Sequence, residues 1–163
     1  MKIDFFSADQ TEAVVDAFHA LSRHYHGEAA LPREAVRRNL LDNVLAPDSG
    51  VRIVVASDGA EVAGVATIAL LYPAPQERGQ LFMKDLFVRD PWRSTGLGEQ
   101  LMRFIARHAV ARGCVRFDWT TERTNTGAVA FYERLGAKVV PEKVYFRLTG
   151  DELTALAGGR GSG

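Results

Sequence analysis

Two hydrophobic periods take turns along the chain. Residues 2–6 alternate briefly, at the length of a short strand, and then Val14, Val15, Phe18 and Leu21 recur at the spacing of one helix face. Ser7 and Asp9 stand just ahead of that run and suit its N-cap. Pro32 fits the first turn of a second helix carrying Val36, Leu40 and Leu41, and Pro47-Asp48-Ser49-Gly50 is a turn. Beyond it the pattern becomes that of strands. Residues 51–57 and 61–72 are joined by Asp58-Gly59, a hairpin signal, and Pro73-Ala74-Pro75 is expected to break the second strand. Residues 80–89, rich in Leu, Phe and Val, make another.

A helix is predicted over residues 95–112, with Leu97, Leu101, Phe104, Ile105 and His108 as its apolar stripe. Glu99 and Arg103 form an i, i+4 pair on its solvent side, and Gly113 ends it. A strand over 115–121 follows, then a helix over 125–135 that stops at Gly136, then a final broken strand or hairpin at 138–140 and 143–148. The order β-α-α-β-β-β-α-β-α-β(β) predicts an α+β domain, a mixed sheet with helices on both faces. The strand–helix–strand unit over 80–121 should pair its strands in parallel. One domain is expected over residues 1–150, with 151–163 a short C-terminal helix or a disordered Gly-rich tail.

Composition narrows the function classes. The chain has 163 residues, 20 basic against 20 acidic. No net field draws it to nucleic acid or to an anionic membrane, and neither is expected as a partner. Residues 1–6 are too short and too charged for a signal peptide, and the longest apolar run, over 62–72, is far short of a membrane span, so a cytoplasmic location is expected. The lone Cys114 excludes an intrachain disulfide and follows a helix-ending glycine, as a buried structural thiol would. His24 and His26 lie near Glu28, but the pattern fits a solvated helix end; His19 and His108 read as packing or surface residues, and no metal is expected.

The strongest chemical signal is Arg93-Ser94-Thr95-Gly96-Leu97-Gly98, at a strand-to-helix junction. The first turn of a helix leaves backbone N–H groups without partners and concentrates about half a positive charge there. Gly96 and Gly98 let a pyrophosphate approach the backbone, Arg93 adds charge, and Ser94 and Thr95 add hydroxyl donors. No Lys-Ser or Lys-Thr follows a glycine loop, so this is not a P-loop, and the third glycine of a dinucleotide fingerprint is missing. A glycine turn that merely caps a helix is the plain alternative. Further on, Tyr132 sits three residues after Val129, near the helix edge that can face the sheet. Its phenol could give or take a proton, or simply pack in a core. Asn125 is an N-cap candidate.

Taken together, Arg-x-x-Gly-x-Gly before one helix and Asn-x-x-Ala-x-x-Phe-Tyr-x-x-x-Gly-Ala about thirty residues later resemble the GNAT superfamily of acetyl-CoA-dependent N-acetyltransferases. The element order is similar from Lys2 to about Leu148. Met83-Lys84-Asp85-Leu86-Phe87-Val88, Phe117-Asp118-Trp119, Tyr25 and the closing Val144-Tyr145-Phe146-Arg147-Leu148 most resemble the spermidine/spermine and diamine acetyltransferase branch. The resemblance implies a splayed pair of parallel strands. Acetyl-CoA would lie in the gap, its pantetheine arm paired with the backbone of Leu86, Phe87 and Val88. Its pyrophosphate would rest on the amides of Ser94, Thr95, Gly96, Leu97, Gly98 and Glu99 beside Arg93, with Asn125 and Ala128 lining the far side. Tyr132 would protonate the leaving thiolate. Pairing of two copies, through strand edges or exchanged C-terminal segments, is also implied.

The reaction so implied is direct attack of a neutral amine on the acetyl carbonyl. A primary alkylamine titrates near ~10, so holding it neutral at pH 7 costs roughly 4 kcal/mol. Asp85 is expected to act on the amine, with Asp118, Trp119 and Tyr25 binding the substrate. Carboxylates in strands need partners, and the alternative partners are Lys84 or Arg89 for Asp85 and Arg116 for Asp118. The polyamine branch has a glutamate where Lys84 stands, which leaves the acceptor open among a polyamine or diamine, a thialysine-like amino acid and an aminoglycoside. Two other readings are a protein lysine or N-terminal acetyltransferase and an acetyl-CoA-binding regulatory protein.

Overall fold

The computed structural model describes residues 1–158; the expected Gly-rich tail from residue 159 on lies outside the described residues. Two compact units divide the chain, Met1–Glu122 and a second that begins at Arg123.

The first unit is a five-stranded sheet in chain order: β1 (Lys2–Phe5), β2 (Val51–Asp58), β3 (Glu61–Ala74), β4 (Arg78–Val88) and β5 (Cys114–Trp119). The first three pairings are antiparallel, whereas β4 and β5 run parallel. Helix α1 (Thr11–His26) follows a 3-10 turn at Ala8–Gln10, where the Ser7 N–H donates to Gln10 Oε1 at 3.2 Å. Helix α2 (Arg33–Asn39) starts at the N-cap Pro32 and runs on into a π turn, Leu40–Val44. Helix α3 (Leu97–Ala111) connects β4 to β5. This is the α+β architecture that the alternating periods predict.

Strand pleating sorts the core into two layers. Val14, Val15, Ala17 and Leu21 of α1 and Leu40 pack with Ile53, Val55, Val65 and Phe87 on one sheet face. Helix α3 covers the other, burying Leu97, Leu101, Met102, Ile105 and Ala109. The approach is close there. A Cβ added to Gly64 would lie 3.0 Å from the Phe87 carbonyl and 3.2 Å from Leu101 Cδ1. Phe104 and His108, expected in the apolar stripe, instead flank it, edge-on to the Phe5 ring at 5.4 and 4.8 Å. On the surface, Glu12 receives Arg37 Nε at 2.8 Å and Arg33 at 2.9 Å, and Arg33 also reaches Asp16 at 2.6 Å, which clamps α2 to α1. The hydrogen bonds from Arg37 and then Arg33 hold the Glu12 carboxyl below its ordinary range.

Two sequence expectations meet a different outcome. Strand β3 is not broken at Pro73; it reaches Ala74 through a register shift between Leu71 and Ala74. A proline is tolerated where the ladder is already irregular. In the second unit, residues 138–140 and 143–148 form no strand among the described residues. Alternation supplies propensity but not a pairing partner, and among the described residues this segment makes local bonds such as Lys143 N–H to Val140 O at 3.3 Å. The same unit holds α4 (Thr126–Arg134), ended by Gly136 at φ +89°, and α5 (Gly150–Leu156), which begins in a Thr149–Glu152 capping box.

Candidate active site

The pairing of β4 with β5 ends early. The last partners are Met83 and Trp119, while β4 continues beside β3 as far as Val88 opposite Gly64. Past Met83, then, β4 has an edge for which β5 offers no ladder partner. Leu86, Phe87 and Val88 lie on that stretch. Its upper end is marked by a β-bulge: Thr67 pairs with Asp85 but Ile68 pairs with Met83, leaving Lys84 as the extra residue. Lys84 is exposed.

Register places two carboxylates on one sheet face. Asp85 stands opposite Thr67, Ala69 opposite Phe82, and Phe82 opposite Asp118, so all five share the face that carries Val65 and Phe87. Both aspartates are half-buried. Neither forms the ion pair considered from the sequence. Asp85 accepts instead from the Thr67 hydroxyl at 2.8 Å, and Asp118 from Gln80 Nε2 at 2.8 Å. Thr67 is 5% exposed, the one buried polar residue among the described residues, and its hydroxyl fixes where the Asp85 carboxylate stands. Among the described residues no Lys or Arg lies within ion-pair distance of either aspartate. The face therefore presents two oriented carboxylates that no ion pair neutralises.

Trp119 does not join them. It follows Asp118 directly and points to the opposite face, its ring 4.8 Å from that of Phe117. Tyr25, at the end of α1, is 65% exposed, with its ring 5.4 Å from His24.

The glycine loop at the head of α3 offers the unpartnered backbone N–H groups of a helix N-terminus. Ser94 adopts φ +61° and Gly96 φ +84°, the latter as N-cap of a helix that starts at Leu97. The Thr95 hydroxyl is not free for a ligand; it donates to the Trp92 carbonyl at 2.7 Å and closes the turn. A Cβ on Gly96 would meet nothing within 4 Å, so the space before the helix is open. Glu99 would oppose an anion, but Arg103 holds it at 2.7 and 2.9 Å. Arg93 is folded back. Its Nε–H donates to the Val88 carbonyl at 2.9 Å and its guanidinium pairs with Asp90 at 2.8 Å. These features fit a pyrophosphate held mainly by backbone amides.

In the second unit, Asn125 caps α4: its Oδ1 accepts the Ala128 N–H at 3.1 Å. Tyr132 is half-buried, its ring 5.1 Å from Phe131. The two helix-ending bonds, Gly136 N–H to Glu133 O at 2.9 Å and Ala137 N–H to Tyr132 O at 3.1 Å, explain why Gly-Ala follows the Phe-Tyr pair. Among the described residues no group of three or more His, Cys, Asp or Glu comes together as a metal site would require. No described helix is long and apolar enough to cross a membrane.

Thr67, Gln80 and His24 (which approaches Arg93) are contacts the sequence reading passed over. Thr67 left one signal, a lone hydroxyl inside the apolar run from Val62 to Leu71. Gln80 and His24 left none, because their partners are far away in the chain.

Comparison with known proteins bears on the family and the fold. The sequence model described as the acetyltransferase (GNAT) family matches residues 14–137. The chain is similar to the L-ornithine N5-acetyltransferase of Arabidopsis thaliana, 37% identical over 95 residues, which cover 58% of this chain and 42% of the plant protein. It is also similar to the thialysine N-epsilon-acetyltransferase of Mus musculus, 29% identical over 105 residues, 63% of this chain and 61% of the mouse protein. The matched parts thus span less than two thirds of either curated relative. Among solved structures, an integron cassette protein from the mobile metagenome of V. cholerae superposes with a TM-score of 0.90 at 37% identity, over 96% of this chain and 98% of that one. An aminoglycoside acetyltransferase from an uncultured soil metagenomic sample shares the fold, with a TM-score of 0.73 at 17% identity over 91% of this chain and 95% of that one.

Proposed function

The chain belongs to the acetyltransferase (GNAT) family, and from that premise we propose that it is an acetyl-CoA-dependent N-acetyltransferase whose acceptor is a small molecule with a primary amine. The two uncompensated carboxylates on one sheet face, Asp85 and Asp118, support this reading most directly. Half-buried carboxylates oriented by neutral donors favour a cationic ligand. The named acceptors of the two curated relatives, L-ornithine and thialysine, each end in a primary amine.

Each residue then has a stated task. The amides at the head of α3, from Ser94 to Glu99, hold the pyrophosphate, and the β4 edge at Leu86, Phe87 and Val88 pairs with the pantetheine arm. Acetyl-CoA supplies the activated acetyl group. Asp85 binds and orients the amine, and takes up the proton that the nitrogen releases as its bond to the acetyl carbon forms. Backbone N–H groups at the β4 edge polarise the carbonyl under attack. Tyr132 gives a proton to the leaving thiolate. Asp118 and Tyr25 bind the body of the acceptor.

A cytoplasmic location and pairing of two copies belong to the same proposal. Val144, Tyr145 and Phe146 stand 74%, 71% and 88% exposed, apolar surface that a second copy would cover; the solution mass tests this. The activity itself is tested by incubating the protein with acetyl-CoA and a panel of diamines, polyamines, ω-amino acids, aminoglycosides and lysine peptides, reading free thiol. Turnover with a small amine is expected. Turnover only with peptides would move the acceptor to proteins, and tight cofactor binding without any turnover would leave a regulatory binding protein.

A further inference from the structure

Arg93 is anchored from more than its own loop. Its Nη2 lies 3.5 Å from Nδ1 of His24, a residue in the last turn of α1. Both side chains meet the same aromatic ring. The Arg93 guanidinium sits 5.5 Å from the Phe87 centroid and the His24 ring 5.8 Å from it. Phe87 is 6% exposed and belongs to the core under α1, so the floor of this triangle is fixed. Arg93 then closes it by donating to the Val88 carbonyl and pairing with Asp90. Each guanidinium nitrogen has a partner, and the planar fork allows that only with the whole group in one orientation. Arginine has no acceptor, so the imidazole must offer a lone pair at Nδ1.

We propose that His24 is a positioning residue for the phosphate loop. It acts through Arg93, holding the guanidinium against Val88 and Phe87 so that the turn from Arg93 to Gly96 keeps the shape that presents its amides. This rests on the acetyl-CoA reading of that loop. His24 also precedes Tyr25, the proposed acceptor-binding residue, with the two rings 5.4 Å apart. The end of α1 therefore connects the cofactor cradle to the acceptor side.

The test uses the full chain and CoA alone, so that no acceptor need be known. Calorimetric CoA affinity and the thermal midpoint are measured for wild type, His24→Phe, His24→Asn, and His24→Phe in an Arg93→Met background. His24→Phe keeps a ring on Phe87 but loses the acceptor, and is expected to weaken CoA by about threefold to tenfold, the scale of one charge-assisted hydrogen bond at a partly exposed site. The midpoint should not move. His24→Asn, whose Oδ1 can replace Nδ1, should restore affinity to within about twofold, and in the Arg93→Met background His24→Phe should change nothing. Wild-type affinity in His24→Phe overturns the inference alone, as does an equal loss in the Arg93→Met background or a failure of His24→Asn to rescue. A wild-type protein that does not bind CoA overturns the acetyl-CoA reading and this inference with it.

Discussion

Replacing Thr67 by valine would separate the orientation of Asp85 from its mere presence. The Thr67 hydroxyl donates to Asp85 Oδ2 at 2.8 Å from a position 5% exposed. A hydrogen bond to a charged group contributes about 1.5–3 kcal/mol net. Asp85 is half-buried, so water replaces part of the lost donor and the lower end applies. At 1.36 kcal/mol per decade, about 1.5 kcal/mol corresponds to roughly tenfold in kcat/KM for the amine, if orientation of the carboxylate is expressed in the transition state. Valine occupies nearly the same volume, its added methyl standing where the hydroxyl met the half-buried Asp85 carboxylate, so the fold should survive with a thermal midpoint within about 4 °C of wild type. The assay is the initial rate of thiol release with the best amine of the panel, alongside CoA affinity, which should stay within about twofold. Thr67→Ser keeps the donor and should retain most of the activity. A folded Thr67→Val protein with wild-type kcat/KM would show that Asp85 needs no orientation, and an equal loss in Thr67→Ser would assign the effect to packing.

Gly96→Glu puts a carboxylate and a disfavoured left-handed side chain at the head of α3; it should weaken CoA binding more than about tenfold while leaving the protein folded, since a strained residue costs about 1–2 kcal/mol, and unchanged affinity would refute the cradle. Tyr132→Phe should slow turnover at saturation about tenfold or more with CoA affinity kept, a split that steady-state rates and calorimetry resolve. His108 contributes to the pH dependence of stability near neutrality. Desolvation, then the nearby charges of Arg52 and Arg112, hold its imidazole below the ordinary histidine value. The unfolded chain binds this proton more readily, so the stabilising contribution is complete above about pH 6.5 and is lost as pH falls through the native value. His108→Gln should therefore flatten the decline in thermal midpoint between about pH 7 and 5; an unaltered slope would refute the assignment.

Different physical signals made different parts of this molecule readable from the chain. The sheet and its helices were legible because burial imposes a period: the strands at Val51–Asp58, Glu61–Ala74 and Arg78–Val88 alternate or run apolar, and α3 repeats its apolar face. The glycine loop was legible because left-handed backbone needs particular residues, and Gly96 at φ +84° is the residue that adopts it without strain. Ser94 at φ +61° was not, since a serine carries no such mark. Propensity also misled at 143–148, where a strand-like run lacks a ladder partner, and at Pro73, where an existing irregularity accommodates the proline.

The polar detail of the site was least legible, for a physical reason that also explains why the acceptor is harder to name than the donor. A phosphate is recognised by backbone, and backbone geometry leaves a local glycine pattern. An amine is recognised by side-chain charge, and the effective charge depends on partners from other strands. Asp85 and Asp118 look alike in the sequence, each with a basic residue one or two positions away: Lys84 for one, Arg116 for the other. Those neighbours suggested neutralising ion pairs. The pleat and the bulge remove that option. Arg116 stands on the same face as Asp118 and yet Gln80 takes the carboxylate, while Lys84, as the extra residue of the bulge, is exposed and leaves Asp85 to Thr67. Neutral donors orient a carboxylate without cancelling its charge, whereas an arginine would have done both. The bulge at Lys84 is thus more than a local irregularity. It sets the register that brings Thr67 opposite Asp85, and so leaves that negative charge available to a cation arriving from solution.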